Sequence, residues 1–171
     1  MITQIAEKSL TSELRLDKLL EIIVDTAIHL TDAERGFLLL TERSGLEFRV
    51  SRTFRQETLP KPETELSHSI AAKVIESGEP VLTADAQADD RFRGLESVRD
   101  LQLRSVLCVP LRASHEVNGA IYLDTHVERG LFRPQDVDLT QAFAAQAAIA
   151  LNNARLVRDN ELKHRELETS Y

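Results

Sequence analysis

From residue 15 to residue 30 the chain reads RLDKLLEIIVDTAIHL, in which Leu16, Leu19, Leu20, Ile23, Ala27 and Leu30 recur three and four positions apart. That spacing places them on one stripe of a helix, with the charges opposite. Upstream, residues 1–13 offer only Ile2 and Ile5, too sparse for a packed face, and predict a weakly helical lead-in. Asp32 and Gly36 mark the helix exit. GFLLLTE, residues 36–42, is continuously apolar and predicts a strand covered on both faces. After a Ser44-Gly45 turn, LEFRVSRTF (46–54) alternates strictly. Leu46, Phe48, Val50 and Phe54 share one face; Glu47, Arg49, Ser51 and Thr53 share the other. This predicts a half-exposed strand near a sheet edge.

Two prolines and a run of acids make residues 55–66 a loop. SHSIAAKVIESG is a short helix, capped by Ser67 or Ser69, with Ile70, Ala71 and Val74 inward and Gly78 closing it. Pro80 blocks continuation, and Val81-Leu82 form a short strand. Residues 84–103 are polar and irregular, anchored by Phe92, Leu95, Val98 and Leu101. A long loop inside a compact domain is often functional, which makes this segment the expected lid over a ligand.

RSVLCVPLR, residues 104–112, is apolar on both faces: Leu107, Val109 and Leu111 on one, Val106 and Cys108 on the other. It predicts a central strand, with a bulge or unpaired position at Pro110, which cannot donate a ladder bond. The strand at 117–124 places Val117, Gly119, Ile121 and Leu123 on one face and the mixed set Asn118, Ala120, Tyr122 and Asp124 on the other. Mixed walls of that kind suit small-molecule sites. Pro134 opens a long last helix, alanine-rich through residue 151 and charged after residue 154, where Leu156, Val157, Leu162 and Leu167 stand among charges. A helix that polar suits one arm of a two-chain bundle or a connector. Adjacent strands joined by short turns, with helices around them, predict an α+β class: a central antiparallel sheet flanked by helices.

With 171 residues the chain suits one domain. A net charge of −7, from 28 acids and 21 bases, argues against a direct nucleic-acid surface. No apolar run spans a bilayer, the N-terminus lacks a signal-peptide pattern, and a single cysteine excludes an internal disulfide. These observations predict a cytoplasmic protein without membrane association. The motifs GxxxxGK[ST], GxGxxG and GxSxG are absent, so no catalytic activity is expected.

Five segments in order resemble a GAF domain, a sensory module of bacterial signalling proteins: LDKLLEIIVDTAIHLTDAERGFLLL, SIAAKVIESGEPVLTADAQADDRF, LRSVLCVPL, NGAIYLD and LFRPQDVDLTQAFAAQAAIALNNARL. The resemblance is to GAF domains that sit N-terminal to outputs such as alternative-sigma-factor-dependent transcription activators, kinases and cyclases. It implies a module that binds a small molecule, or pairs two chains, and signals through its terminal helices. Residues 1–13 are then a lead-in helix, 14–154 the GAF domain, and 155–171 a charged connector to a covalently linked output domain. The expected partners are a second copy through the N- and C-terminal helices, with Leu20, Phe143, Ile149, Leu156 and Leu162 at the contact, and an unidentified small molecule. A ligand-free dimerisation module is the alternative.

For a ligand, the expected wall comprises Tyr122 and Asp124 on the last strand, Asp85, Arg91 and Phe92 in the lid, and Arg104 and Ser105 at the head of the central strand. The identity of any cofactor is unknown. Cyclic-nucleotide-binding members share Asn-Lys followed by Phe, three residues and Asp-Glu; here Phe132 and Asp136 remain, Val137 follows, and the Asn-Lys pair is missing. Phe132 is expected to pack the last helix, and Asp136 to stabilise its N-terminus. Bilin attachment resembles Cys-His, whereas Val109 follows Cys108. Nothing selects a haem ligand among the five histidines. Members that reduce methionine sulfoxide use two or three cysteines; one remains here, leaving a single-cysteine redox enzyme as a distant alternative. The expected role of Cys108 is to fill space.

Overall fold

The computed structural model describes residues 2–61, 66–127 and 130–169. Helix α1 (Ile2–Thr31) leads into strands β1 (Arg35–Glu42) and β2 (Gly45–Thr53). Helix α2 (His68–Ser77), strand β3 (Val81–Thr83) and the short helix α3 (Glu96–Asp100) follow. Strands β4 (Ser105–Ala113) and β5 (Glu116–Thr125) precede the long helix α4 (Pro134–Thr169). The strands form one antiparallel sheet in the order β2-β1-β5-β4-β3.

Two cores sandwich the sheet. Leu38, Leu107, Val109, Ile121 and Leu123 project toward α1 and α4 and meet Leu20, Ile23, Val24, Ala144 and Ala147. Phe37, Val106, Cys108, Ala120 and Tyr122 project the other way, onto Ile70 and Val74 of α2 and onto Phe92 and Val98. This double coverage is why β1, β4 and β5 read as continuous apolar runs.

The structure departs from the expectations in four places. Helix α1 is continuous from residue 2, although the side chains of Ile2 and Ile5 lie outside the described residues, as do positions 62–65 of the predicted loop. Its buried stripe is Leu20, Ile23, Val24, Ala27 and Ile28, while Leu19 and Leu30 are exposed. LLEIIV holds more apolar residues than one helix face can bury. Leu20 is therefore wholly inside its own domain and belongs to no pairing surface.

The alternation of β2 is broken. The register passes from Val50 opposite Leu38 to Phe48 opposite Leu39, so Arg49 is an extra, bulged residue. Val50 joins the α1/α4 core, Phe48 packs on the opposite core, and Phe54 lies beyond the strand, exposed. Pro110 sits in regular register opposite Ala120; the irregularity comes one step later, between Leu111 and Arg112. Strand β3 pairs only with Val106 to Cys108, so β4 has a free edge beside Pro110 that tolerates a residue without an N–H.

Ser67 is the N-cap of α2, and its Oγ accepts the Ile70 amide at 3.3 Å. Gly78 closes the helix at φ 71, the left-handed conformation glycine permits, and its carbonyl accepts Arg112 Nη2. Segment 84–103 contains α3 and packs Ala86, Phe92, Val98 and Leu103 fully into the core.

Candidate functional site

Along β5, Tyr122 and Asp124 point to the α2 side, and both are completely buried. Tyr122 meets Phe37 edge-on at 5.8 Å, and its hydroxyl accepts the Ser67 amide at 3.4 Å. Two residues on, Asp124 stands opposite Arg35, the first residue of β1. The guanidinium grips the carboxylate with both arms, Nε to Oδ1 at 3.0 Å and Nη2 to Oδ2 at 2.9 Å. Arg35 Nη2 also lies 3.0 Å from His126 Nε2, and His126 Nδ1 lies 3.1 Å from Glu34 Oε1. Arginine can only donate, so Nε2 accepts and Nδ1 holds the ring proton facing Glu34. The His126 amide also donates to Glu34 Oε2 at 3.3 Å.

A polar chain thus runs from the cap of α2 through Tyr122, Asp124, Arg35 and His126 to Glu34, just after α1 ends. Burial pushes the Tyr122 hydroxyl well up, and the Asp124 charge beside it adds to this. Burial also raises the Asp124 carboxyl, against the pull of Arg35. At Glu34 burial acts upward, but the His126 hydrogen bonds outweigh it and the carboxyl lies below its ordinary value. Asp124 is legible on the mixed face of its strand, and His126 stands two positions further on. Arg35 was not singled out, although a cation at the head of an otherwise apolar strand must either leave the sheet or find an acid.

The remaining expected ligand residues are tied to their own segment. Arg91 grips Asp89 at 2.8 and 3.1 Å and donates to the Leu82 carbonyl at 3.0 Å. The Arg91 contact holds the Asp89 carboxyl well below the usual carboxylate range. Phe92 is buried and lies 4.8 Å from the Arg91 guanidinium and 5.4 Å from Lys73 Nζ. Arg104 reaches Asp85 at 3.4 Å, and Asp85 accepts the Gln87 amide at 3.2 Å. Ser105 Oγ donates to the Ala84 carbonyl at 2.9 Å and accepts the Leu131 amide at 3.2 Å. These contacts clamp the 84–103 segment onto the sheet. Asp85, Arg91, Arg104 and Ser105 do not join Tyr122 and Asp124 around a common polar space.

Cys108 is buried opposite Tyr122, and burial pushes its thiol up, far from a reactive thiolate. Native protein treated with a water-soluble aromatic disulfide at neutral pH is expected to release no thiolate over an hour, and one equivalent after denaturation. Immediate release from the native protein would contradict the burial. Phe132 packs in the core, and Asp136 Oδ2 accepts the Arg133 amide at 2.9 Å, the second half of a capping box for α4. Among the described residues no group of three or more His, Cys, Asp or Glu is placed to hold a metal, and no helix is long and apolar enough to cross a membrane.

The terminal helices carry the main uncovered apolar surface. On α1, Leu10, Leu14 and Ile22 are more than half exposed, and on α4 so are Ile149 at 62% and Leu156 at 58%. Leu167 continues that line, while Leu162 is exposed about a third of a turn aside; Phe143 is half-buried against the core. A groove of about 520 Å³ runs between the helices, walled by Leu16, Leu19, Ile149, Ala150 and Val157. Arg158 and Glu13 bridge the helices at 2.7 Å.

A five-stranded antiparallel sheet with its first and last helices together on one face defines a small α+β domain of the kind that leaves those helices free at one side. The family model for the GAF domain matches residues 15–151, and the chain belongs to that family. It is 28% identical over 138 residues to dual 3',5'-cyclic-AMP and -GMP phosphodiesterase 11A of Takifugu rubripes, covering 80% of this chain and 15% of that protein. It is 28% identical over 187 residues to dual 3',5'-cyclic-AMP and -GMP phosphodiesterase 11 of Drosophila melanogaster, covering 95% of this chain and 13% of that protein. The chain therefore spans only a small part of these relatives' length. Among solved structures, a methyl-accepting chemotaxis protein superposes with a TM-score of 0.64 at 20% identity, over 90% of this chain and 98% of that one. The photoproduct state of GAF3 from Slr1393 of Synechocystis gives 0.68 at 15% identity, over 84% and 98%.

Proposed function

We propose that this GAF domain is a non-catalytic regulatory module of a cytoplasmic signalling protein. It pairs two chains through α1 and α4 and passes changes in their packing to a covalently linked output domain. The observation that carries this reading is the apolar line of Ile149, Leu156 and Leu167 on α4, running past the core, with Leu10, Leu14 and Ile22 exposed on α1. Each such side chain gains about 1.5–3 kcal/mol when fully covered. Ile149, Asn153, Leu156 and Asn160 keep a four-three spacing. Apolar residues interleaved with asparagine at that spacing favour a two-stranded contact with a fixed register. The relatives named for cyclic-nucleotide hydrolysis and chemotaxis, much longer chains or signalling proteins, support an output elsewhere in the polypeptide.

The filled interior favours pairing over a ligand held between Tyr122 and the 84–103 segment, because Phe37, Phe92 and Tyr122 occupy that space with no exposure. Sedimentation equilibrium tests the reading. Wild type is expected to be a dimer at micromolar concentration. Ile149→Glu with Leu156→Glu is expected to weaken pairing at least about a hundredfold, close to 2.7 kcal/mol. The melting of the monomer should be unchanged, since both side chains are exposed. A wild-type monomer at 100 micromolar (about a hundredfold above the expected dissociation constant) ends the proposal.

A further inference from the structure

One face of the helix pair carries a ridge and a groove side by side. At about 100° per residue, Ile149 and Leu156 point within about 20° of each other on α4. Both are more than half exposed and form a ridge along the outer side of that helix. The groove of about 520 Å³ runs beside them, with Leu16 and Leu19 of α1 on its far bank and Ala150 and Val157 of α4 on its near one. Val157 and Ala150 lie about 80° and 100° round the helix from Ile149. Asn153, about 40° round, stands between ridge and groove, and Gln146 and Asn160 keep within about 20° of its line.

A second copy of this chain fits this face in one orientation. Turned about a two-fold axis parallel to α4, it lays its ridge in this groove and receives this ridge in its own. An axis across the helices would set ridge against ridge and leave both grooves empty. The parallel arrangement brings Asn153 against the partner's Asn153 at one height on the axis. A carboxamide both donates and accepts, so it pairs with its own kind and is left unpaired opposite an apolar residue.

The charges follow the same symmetry. Glu13 bridges to Arg158, while Leu20 and Ala27 further along α1 share a core with Ala144 and Ala147, so the two helices run antiparallel. This sets Arg15 at about the height of Leu156, on the groove side of α1. Asp159 lies about 80° to the other side of the ridge, less than one turn further on. Neither makes an ion pair among the described residues. With the ridge seated in the second copy's groove, Asp159 faces that copy's α1 at the level of its Arg15.

We propose that two copies pair in parallel through this face. Each seats Ile149 and Leu156 in the other's groove, Asn153 pairs on the axis, and Arg15 of each copy meets Asp159 of the other. The carboxamide and the two charge pairs select the chain's own copy over a helix with another pattern. Both α4 helices then leave the domain side by side and in one direction. This inference rests on the pairing reading and adds its orientation and its selective contacts.

Mixing and crosslinking test the orientation, while sedimentation of the wild type decides pairing itself. Arg15→Glu alone and Asp159→Arg alone each create two like-charge contacts across the axis. Each is expected to weaken pairing at least about tenfold at low salt. An equimolar mixture of the two variants restores opposite charges at both contacts and is expected to pair within about threefold of wild type. Gln146→Cys, Asn153→Cys and Asn160→Cys, each alone, are expected to form an intermolecular disulfide under mild oxidation, because all three meet themselves on the axis. All five positions are exposed, so the variants are expected to melt as the wild type does. Crosslinking at fewer than three of the positions in a dimeric protein overturns the parallel arrangement. So does a mixture that pairs no better than its components. A wild-type monomer overturns this inference together with the pairing reading.

Discussion

Replacing Arg35 with methionine is expected to cost about 3–5 kcal/mol, because it strands the Asp124 carboxylate in a fully buried site. That is a large part of the 5–15 kcal/mol that holds a typical domain together. For a chain of this length it corresponds to a fall in melting temperature on the order of 10 °C. The ion pair itself need not be strongly stabilising, since desolvating both charges offsets much of their attraction. The cost lies in removing one partner. Arg35→Met with Asp124→Leu is therefore expected to recover most of the loss, and the two single changes to be strongly non-additive.

The dependence on pH has a definite sign. In Arg35→Met the folded-state pKa of Asp124, already raised by burial, loses the opposing pull of the guanidinium and rises further. A raised carboxyl favours its protonated form in the folded state. The penalty is then greatest above the folded pKa and relieved as pH falls toward the unfolded value near 4. The single variant should thus approach wild type in acid, while the double variant shows no such convergence. Equal destabilisation of the single variant across pH 4 to 8 would show that the carboxylate is not the source of the cost. Urea unfolding at several pH values measures this directly.

The parts of the fold that were legible share one property: the pattern they depend on is repeated over several residues. Strands β1, β4 and β5 and helix α2 follow from long apolar runs or from a cap and a stop that agree. The bulge at Arg49 is invisible in LEFRVSRTF, because perfect alternation there argues for one face when the partner strand imposes two. The choice between Leu19 and Leu20 likewise depends on how α4 crosses α1, which no local spacing records. The polar residues posed a harder problem. Asp124 and Tyr122 look like a binding wall on their strand, but the groups that satisfy them, Arg35 and Ser67, lie 89 and 55 positions away. Arg91, Asp85 and Arg104 look like ligand contacts for the same reason, and are spent on holding their loop. A sequence shows which side chains can bond, and only the fold shows which are already bonded. Asn118 is the converse case: it reads as one polar residue of the mixed face of its strand, and the bulge that sets it apart appears only in the pairing with β4.

Gly119→Ala is expected to destabilise the domain by about 3 kcal/mol, at the upper end of what overpacking usually costs. Gly119 lies inside the sheet, paired with Leu40 on β1 and Leu111 on β4. A Cβ there would overlap the backbone carbonyl oxygen of Leu39 and stand 2.9 Å from Leu111 Cδ1. The leucine can rotate away, but the carbonyl belongs to the β1–β5 ladder and can move only if the strands part. Parting them also loosens the register that sets Arg35 opposite Asp124 and leaves Asn118 as the bulged residue. Gly36→Ala is a graded comparison, since its Cβ would meet side-chain atoms of Ile28 and Leu123 at 2.9–3.0 Å, and side chains yield more cheaply than backbone. Gly94→Ala meets nothing within 4 Å and is expected to be neutral to within about 0.5 kcal/mol. Chemical denaturation of the three variants should therefore rank Gly119 well above Gly36, and Gly36 above Gly94. A Gly119→Ala protein as stable as Gly94→Ala would mean that β1 and β5 are not held this close at their paired centre.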